Sequence, residues 1–227
     1  MEIRVPPPSA SIATAPDASG KLYAPSAARN TESLCQTISS IVPPTGNALE
    51  IASGTGQHIV AFAAAMPAFH WHPSEVEQVR LNSIAAYIFE SGLSNIAPPL
   101  TLNATQPGWG DTIAPKDLIL TANLFHLISA VEVSVLLEEA AKALVQRGLL
   151  CVYGPFKRDG ELTSEGDTQF DASLRTSDPE IGYKDDAWIK SEGKKANLEF
   201  TQAIDMPANN LALVFQRQQY ARKCLSI

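Results

Sequence analysis

The stretch Leu49-Glu-Ile-Ala-Ser-Gly-Thr-Gly-Gln-His58 joins an apolar strand, a turn of small residues and the start of a helix, with one carboxylate inside it. Small residues at Ala52, Ser53, Gly54 and Gly56 let a ligand approach the backbone. The N–H groups there, and the helix N-terminus behind them, make a polar cradle. Glu50 is the unexpected residue, because a carboxylate in an apolar strand is costly unless a donor or a cation pairs with it. Glu75 follows the second apolar segment, where α/β nucleotide folds place an acid to accept the two hydroxyls of a ribose. Two acids around such a turn read as a site for a nucleoside-containing ligand.

Departures from the dinucleotide pattern narrow the ligand. The fingerprint needs a third small residue for helix packing, and Gly54-Thr-Gly-Gln-His-Ile59 puts Ile59 there. An acid beside the turn would repel a pyrophosphate. It suits a cationic amino group, as on the methionine part of S-adenosylmethionine, and so points to class I methyltransferases. The plain alternative is a tight turn that packs strand on helix. His58, just inside the helix, is expected to cap or line the pocket.

Further candidates stand at strand ends. Ala122-Asn-Leu-Phe-His126 puts Asn123, Phe125 and His126 at the carboxyl edge of the fourth strand, where open α/β sheets bind ligands. The segment lacks the two prolines of the (Asp/Asn)-Pro-Pro-aromatic signature, which disfavours DNA-adenine or glutamine N-methylation. Methyl transfer is an in-line displacement from a sulfonium, so the protein must orient nucleophile and methyl and, for a protonated nucleophile, supply a base. His126 is the candidate base, set against a histidine that only packs on the cofactor or bonds a carbonyl. Tyr153, ending the fifth strand, is expected to orient a substrate or to pack. Asn209 and Asn210 either line a substrate pocket or sit in their turn for conformational reasons. Arg29 and Asn30, before the first helix, are candidates to close over the cofactor carboxylate; alternatively Asn30 caps the helix and Arg29 is solvated. His70 and His72 share a strand face, yet no third ligand has matching spacing, so no metal is expected.

The elements that must position these groups are legible as alternation. Apolar segments at residues 48–52, 69–72, 100–102, 117–122 and 149–153 read as strands. Between them Ile59/Phe62/Met66, Leu81/Ile84/Ile88 and Val133/Leu136/Ala140/Leu144 each mark one helical face, and Leu34, Ile38 and Ile41 mark an earlier helix from Thr31. Strands alternating with helices imply βαβ units, hence a doubly wound α/β fold with a mostly parallel seven-stranded sheet and helices on both faces. Leu198/Phe200/Ile204 and the run Leu211 to Phe215, separated by Pro207-Ala-Asn-Asn210, read as an antiparallel C-terminal strand pair. Residues 1–21, rich in proline, read as a flexible arm, and 22–220 as the domain. Within it 155–195 forms a cap-like insertion with helical candidates near Phe170–Leu174 and Asp185–Ile189, and 221–227 is a tail.

Composition excludes several partners. The chain has 227 residues and a net charge of -7, from 17 Lys and Arg against 24 Asp and Glu. An acidic protein without a basic patch is a poor match for nucleic acid or anionic lipid, so a small-molecule substrate is favoured and neither nucleic acid nor membrane is expected. Lys194, Lys195, Arg217, Arg222 and Lys223 read as scattered surface charge. Cys35, Cys151 and Cys224 are odd in number and far apart, against a disulfide framework or a thiolate zinc site and in favour of a cytoplasmic setting. Neither a secretion signal nor a transmembrane run is read. No oligomeric state is read from the sequence.

Six blocks resemble those of the methyltransferase-like 26 family: Ser26-Ala-Ala-Arg-Asn30, the Leu49–His58 stretch, His72-Pro-Ser-Glu75, Tyr153-Gly-Pro-Phe156, Phe170-Asp-Ala-Ser-Leu174 and Asp205-Met-Pro-Ala-Asn-Asn210. The resemblance spans most of residues 22–217 and implies a class I S-adenosylmethionine fold without a substrate. Carried over by position, Glu50 and the turn from Ala52 to Gly56 would hold the methionine end, Glu75 the ribose, and Asn103-Ala104 the adenine. Class I enzymes usually carry Asp at the position of Asn103; Asn keeps an acceptor oxygen for the adenine amino group and adds a donor. Ala52 stands where the turn often has Gly. The expected function is transfer of a methyl group to a small acceptor. The alternatives are an inactive cofactor- or protein-binding relative and a nicotinamide-dependent oxidoreductase.

Overall fold

Seven strands make one mixed sheet in the computed structural model, which describes residues 13–219. They are β1 (Gly46–Ile51), β2 (Phe69–Glu75), β3 (Leu100–Thr101), β4 (Lys116–Ala122), β5 (Leu144–Pro155), β6 (Leu198–Asp205) and β7 (Asn210–Arg217), in the order β3-β2-β1-β4-β5-β7-β6. The first five are mutually parallel, and β7 runs antiparallel to both β5 and β6. The order reverses between β1 and β4, which opens a crevice at their carboxyl ends.

The two-residue period of the strands sorts the core into two layers. Ala48, Trp71, Leu118, Leu120, Cys151, Tyr153 and Ala212 face α1 (Pro25–Ile41), α2 (Gln57–Ala65) and α3 (Gln78–Ser91). Leu49, Ile51, Ile119, Leu150, Val152, Leu213 and Phe215 face the other way, towards α4 (Ala130–Ala143) and α6 (Asp186–Lys195). Glu50, between Leu49 and Ile51, therefore points into the α1–α2 layer. Ser129 and Glu132 form a reciprocal cap that starts α4 sharply after β4. Leu144, expected on that helix face, instead opens β5.

Two boundaries differ from the sequence reading. The first helix begins at Pro25, six residues before Thr31, because proline at the first helical position gives up no hydrogen bond and Ser-Ala-Ala continues the helix well. Arg29 and Asn30 therefore lie inside α1 and Asn30 caps nothing. Second, α6 packs with α4 and the sheet through Ile189. Only α5 (Glu165–Ser177) and its flanks form a separate cluster, in which Leu174, Ile181 and Tyr183 meet Leu127. In the expected arm, residues 1–12 lie outside the described residues, while the Thr14 N–H donates to the Tyr23 carbonyl at 2.9 Å. The tail at 221–227, with Arg222, Lys223 and Cys224, also lies outside the described residues. No helix among the described residues is long and apolar enough to cross a membrane.

Candidate functional site

The turn after β1 is held by β2. The Ser53 N–H donates to the Ser74 carbonyl at 2.8 Å, and the Ser74 hydroxyl donates to the Glu50 carbonyl at 2.8 Å. Left-handed backbone at Ala52 (φ 54), Gly54 (φ 61) and Gly56 (φ 95) then coils the chain into α2. Ala52 holds a conformation that costs an L-residue with a Cβ about 1–2 kcal/mol. Ala52→Gly is expected to raise stability by about 0.5–1 kcal/mol net of glycine's larger unfolded-state entropy, measured by urea denaturation.

The two glycines of the turn do different work. A Cβ on Gly54 would meet only the Arg80 side chain, 3.7 Å away on the cleft wall, so this position leaves room for a ligand. A Cβ on Gly56 would lie 2.8 Å from the Ile84 Cα, so this glycine permits close approach of α2 to α3 and does not line the cleft.

Glu75 is oriented by two backbone donors: Gly54 N–H to Oε2 at 3.0 Å and Val76 N–H to Oε1 at 2.8 Å. Burial pushes its carboxyl above the usual range, against the pull of those N–H groups and of Arg80. Glu50 is only 1% exposed and its Oε2 has no hydrogen-bond partner. Burial raises this carboxyl to about 8; a bond from Ser53 acts against the shift and nearby Glu75 adds to it. His58 Nδ1 stands 4.0 Å from Glu50 Oε1. Burial drops the imidazole to about 4, so it is neutral at pH 7 and makes no ion pair.

Ala52, Ser53, Gly54, His58, Glu75, Asn103, Ala104 and Asn123 line one cleft at the sheet's switch point, with Glu50 behind Ser53 and His58. The sequence reading missed several walls. Ala24, Ser26 and Ala27 come from the start of α1, pinned across α2 and α3 by Ala24 N–H to Gln57 Oε1 (2.6 Å) and Leu22 N–H to Ser83 Oγ (2.8 Å). Pro25 was the available signal. Val76, Glu77 and Arg80 border Glu75, and Leu124, Leu127 and Ile128 form an apolar wall after β4.

The other expected residues are placed by their own contacts. Asn103 Oδ1, expected to accept from adenine, already takes the Thr105 N–H (3.1 Å) and hydroxyl (2.7 Å), because an asparagine two residues before a donor closes its own turn. Its amide N–H groups are what it can offer. Phe125 is a core residue. His126 does not line the cleft: its ring sits edge-on to Phe170 and Tyr183, and its carbonyl accepts from the Gly182 N–H at 2.9 Å. Burial, with Lys184 nearby, lowers its imidazole to about 3. Tyr153 is buried under α1, its hydroxyl accepting from Asn210 Nδ2 at 3.1 Å and from the Asn30 amide. Asn209 ties the β6–β7 turn to the α5 region, with Nδ2 donating to Asp167 Oδ2 at 3.4 Å. Neither asparagine nor Arg29 lines the cleft. His72 Nδ1 lies 3.3 Å from Lys116 Nζ, and no group of three metal-ligating side chains stands together among the described residues. Cys35 and Cys151 are free thiols, pushed by burial to about 11 and about 12.

The model of a family described as "Protein of unknown function (DUF938)" matches residues 21–217. Among solved structures, an O-methyltransferase family protein from Burkholderia thailandensis is similar with a TM-score of 0.72 at 14% identity, over 84% of this chain and 57% of that one. The O-methyltransferase family 2 protein from Planctomyces limnophilus DSM 3776, solved in complex with apigenin, gives 0.66 at 16%, over 82% and 61%. CalO1, a methyltransferase in calicheamicin biosynthesis solved in an SAH-bound form, gives 0.67 at 11%, over 84% and 53%. The chain thus spans little more than half the length of these proteins. At such identities the likeness shows the fold, which is the Rossmann-like fold of class I methyltransferases.

Proposed function

The chain belongs to the DUF938 family, and from the cleft described above we propose that it is an S-adenosylmethionine-dependent methyltransferase acting on a small-molecule acceptor. The observation that carries this reading is Glu50: a carboxylate with a buried, unpartnered oxygen behind a glycine turn at the switch point. Such an oxygen calls for a cationic donor, and the ammonium of the methionine part is one. Around it the residues fit the rest of the cofactor. Glu75, fixed by two N–H groups, keeps lone pairs for ribose hydroxyls, Gly54 leaves the cradle open, and the Leu102–Thr105 strip borders the adenine side. The finer resemblance to the methyltransferase-like 26 family agrees with this reading, as do the methyltransferases among the similar structures.

When bound, the cofactor supplies an electrophilic methyl group on a sulfonium. The chain's own residues bind and orient it. Leu124, Leu127 and Ile128 give the cleft an apolar wall, and Ala24, Ser26 and Ala27 at the start of α1 line it too. A fixed near-attack geometry of this kind accounts for much of the rate of an in-line displacement. The placement of His126 favours a second reading, a cofactor-binding relative without turnover. A base must come within hydrogen-bond reach of its proton, and this ring packs against Phe170 instead. We further propose a cytoplasmic setting, on the free thiols.

Calorimetric titration with S-adenosylmethionine, S-adenosylhomocysteine and NADH is the test. Micromolar binding of the adenosyl ligands, near -8 kcal/mol, with no heat from NADH is the expected result. Binding of NADH in their place would return the oxidoreductase reading, and silence from all three would remove the cofactor assignment. Methyl transfer to any member of a panel of small hydroxyl, thiol and amine acceptors would then exclude the inactive reading.

A further inference from the structure

Behind the cleft a chain of buried polar groups crosses from the β6–β7 turn to Glu50. Asn210 Nδ2 and the Asn30 amide both donate to the Tyr153 hydroxyl. Asn30 Oδ1 lies 2.6 Å from His58 Nε2, and His58 Nδ1 lies 4.0 Å from Glu50 Oε1. Asn30, His58 and Tyr153 are all buried. This order of donors has a consequence for the imidazole. Because the Asn30 amide nitrogen serves Tyr153, its oxygen faces His58, and an oxygen can only accept. The hydrogen of the neutral ring therefore sits on Nε2, and Nδ1 keeps its lone pair towards Glu50. The Ala27 carbonyl, on the same helix, also faces the imidazole, and the one N–H of the neutral ring goes to the nearer Asn30 Oδ1 at 2.6 Å.

We propose that His58 Nδ1 is a second acceptor for the cofactor's ammonium beside Glu50, and that Asn30 is the positioning residue that keeps it one by fixing the tautomer. A primary ammonium has three donors and is satisfied best by several acceptors. Acceptors 4.0 Å apart can both reach one nitrogen at about 2.9 Å. A histidine able to stay neutral beside a carboxylate is the type needed here, and its low basicity in this buried place keeps its lone pair free. The inference rests on the methyltransferase reading and goes beyond it. It states which chemical group distinguishes ligands at this site: a free primary amine on the thioether side of an adenosine.

Two measurements test it. In the ligand-free wild-type protein, long-range proton–nitrogen correlation spectra of the His58 ring should show the Nε2–H tautomer across neutral pH. An Nδ1–H tautomer, or a protonated ring at pH 7, would overturn the proposal without any substitution. Affinities are then compared for S-adenosylhomocysteine and for 5′-methylthioadenosine, which lacks the amino-acid part. His58→Phe is expected to weaken the first about tenfold and the second less than twofold, and Asn30→Leu to act in the same direction by about fivefold. A purely structural role would weaken both ligands together and would refute the proposal, as would unchanged binding of both. Binding of neither ligand by the wild type marks failure of the cofactor assignment itself, whereas binding of both with no discrimination in the variants marks failure of this inference alone.

Discussion

Glu50→Gln is expected to stabilise the ligand-free protein at alkaline pH while weakening adenosyl-ligand binding by about 1–3 kcal/mol, the scale of losing a charged hydrogen-bond partner. In the fold this carboxyl titrates near 8, against 4.5 unperturbed, because burial disfavours its charge. The folded state thus holds a proton that the unfolded chain has released, and the side chain's contribution to stability falls as pH rises from about 4.5 through about 8. Each unit of such a shift corresponds to about 1.4 kcal/mol, so the penalty above pH 8 reaches several kcal/mol. Gln has no charge to desolvate. The melting temperatures of wild type and variant should nearly coincide at pH 4.5, diverge through neutrality, and differ by more than about 5 °C at pH 9. Curves that stay parallel from pH 4.5 to 9 would mean that Glu50 is already ionised and paired in the free protein.

Ligand binding reverses the sign. An arriving ammonium favours the carboxylate, so below pH 8 complex formation should release a proton. Affinity should climb with pH until the ligand amine, near 8 itself, loses its charge. The neighbours facing Glu50 are His58, neutral throughout this window, and Ser53, with Glu75 and Cys35 further off. None of them supplies a competing cation. Titration in buffers of differing protonation enthalpy reads the released proton directly, and the same titration of Glu50→Gln should show none. The site is then costly to keep empty and favourable to fill, which is how a buried acid conforms to the trade between stability and function.

The alternation of apolar segments gave the sheet, its switch point and the antiparallel closing pair, because burial on both faces leaves a local signature in the central strands β1, β4, β5 and β7. Glu50 and Glu75 were legible for the opposite reason: each breaks that signature where a charge is expensive. What escaped was set by tertiary context. Asn30 reads from its neighbours as a cofactor contact or a cap, and only the packing of α1 turns its amide towards His58 and Tyr153. His126 sits at a strand end where ligands bind, yet Phe170 and Tyr183, more than forty residues on, enclose it. Asn103 was read for its oxygen, and the turn that consumes that oxygen depends on Thr105 two residues away. Ala24 and Ala27 carry no chemistry at all and form a wall through position alone.

Gly54 and Gly56 look equivalent in sequence, and substituting each with alanine should separate their roles. At Gly56 a methyl group would stand 2.8 Å from the Ile84 Cα, 3.3 Å from its Cγ1 and 3.4 Å from a Tyr87 ring carbon. Backbone cannot swing aside as a side-chain tip can, so α2 and α3 would have to part. Overpacking of this kind costs about 1–3 kcal/mol, and the φ of +95° adds about 1–2 kcal/mol for a residue with a Cβ. Gly56→Ala should therefore lose about 2–5 kcal/mol in chemical denaturation and bind ligand weakly only in proportion to its unfolded fraction. Gly54→Ala carries the left-handed cost of about 1–2 kcal/mol alone, since its methyl would meet nothing closer than the Arg80 guanidinium. Its methyl would project into the cradle, so its affinity for S-adenosylhomocysteine should fall in fully folded protein. Equal stability losses in the two variants, or intact binding by Gly54→Ala, would contradict this division. The opposite pairing of effects would make Gly56 the residue over which the ligand lies and Gly54 the spacer between helices.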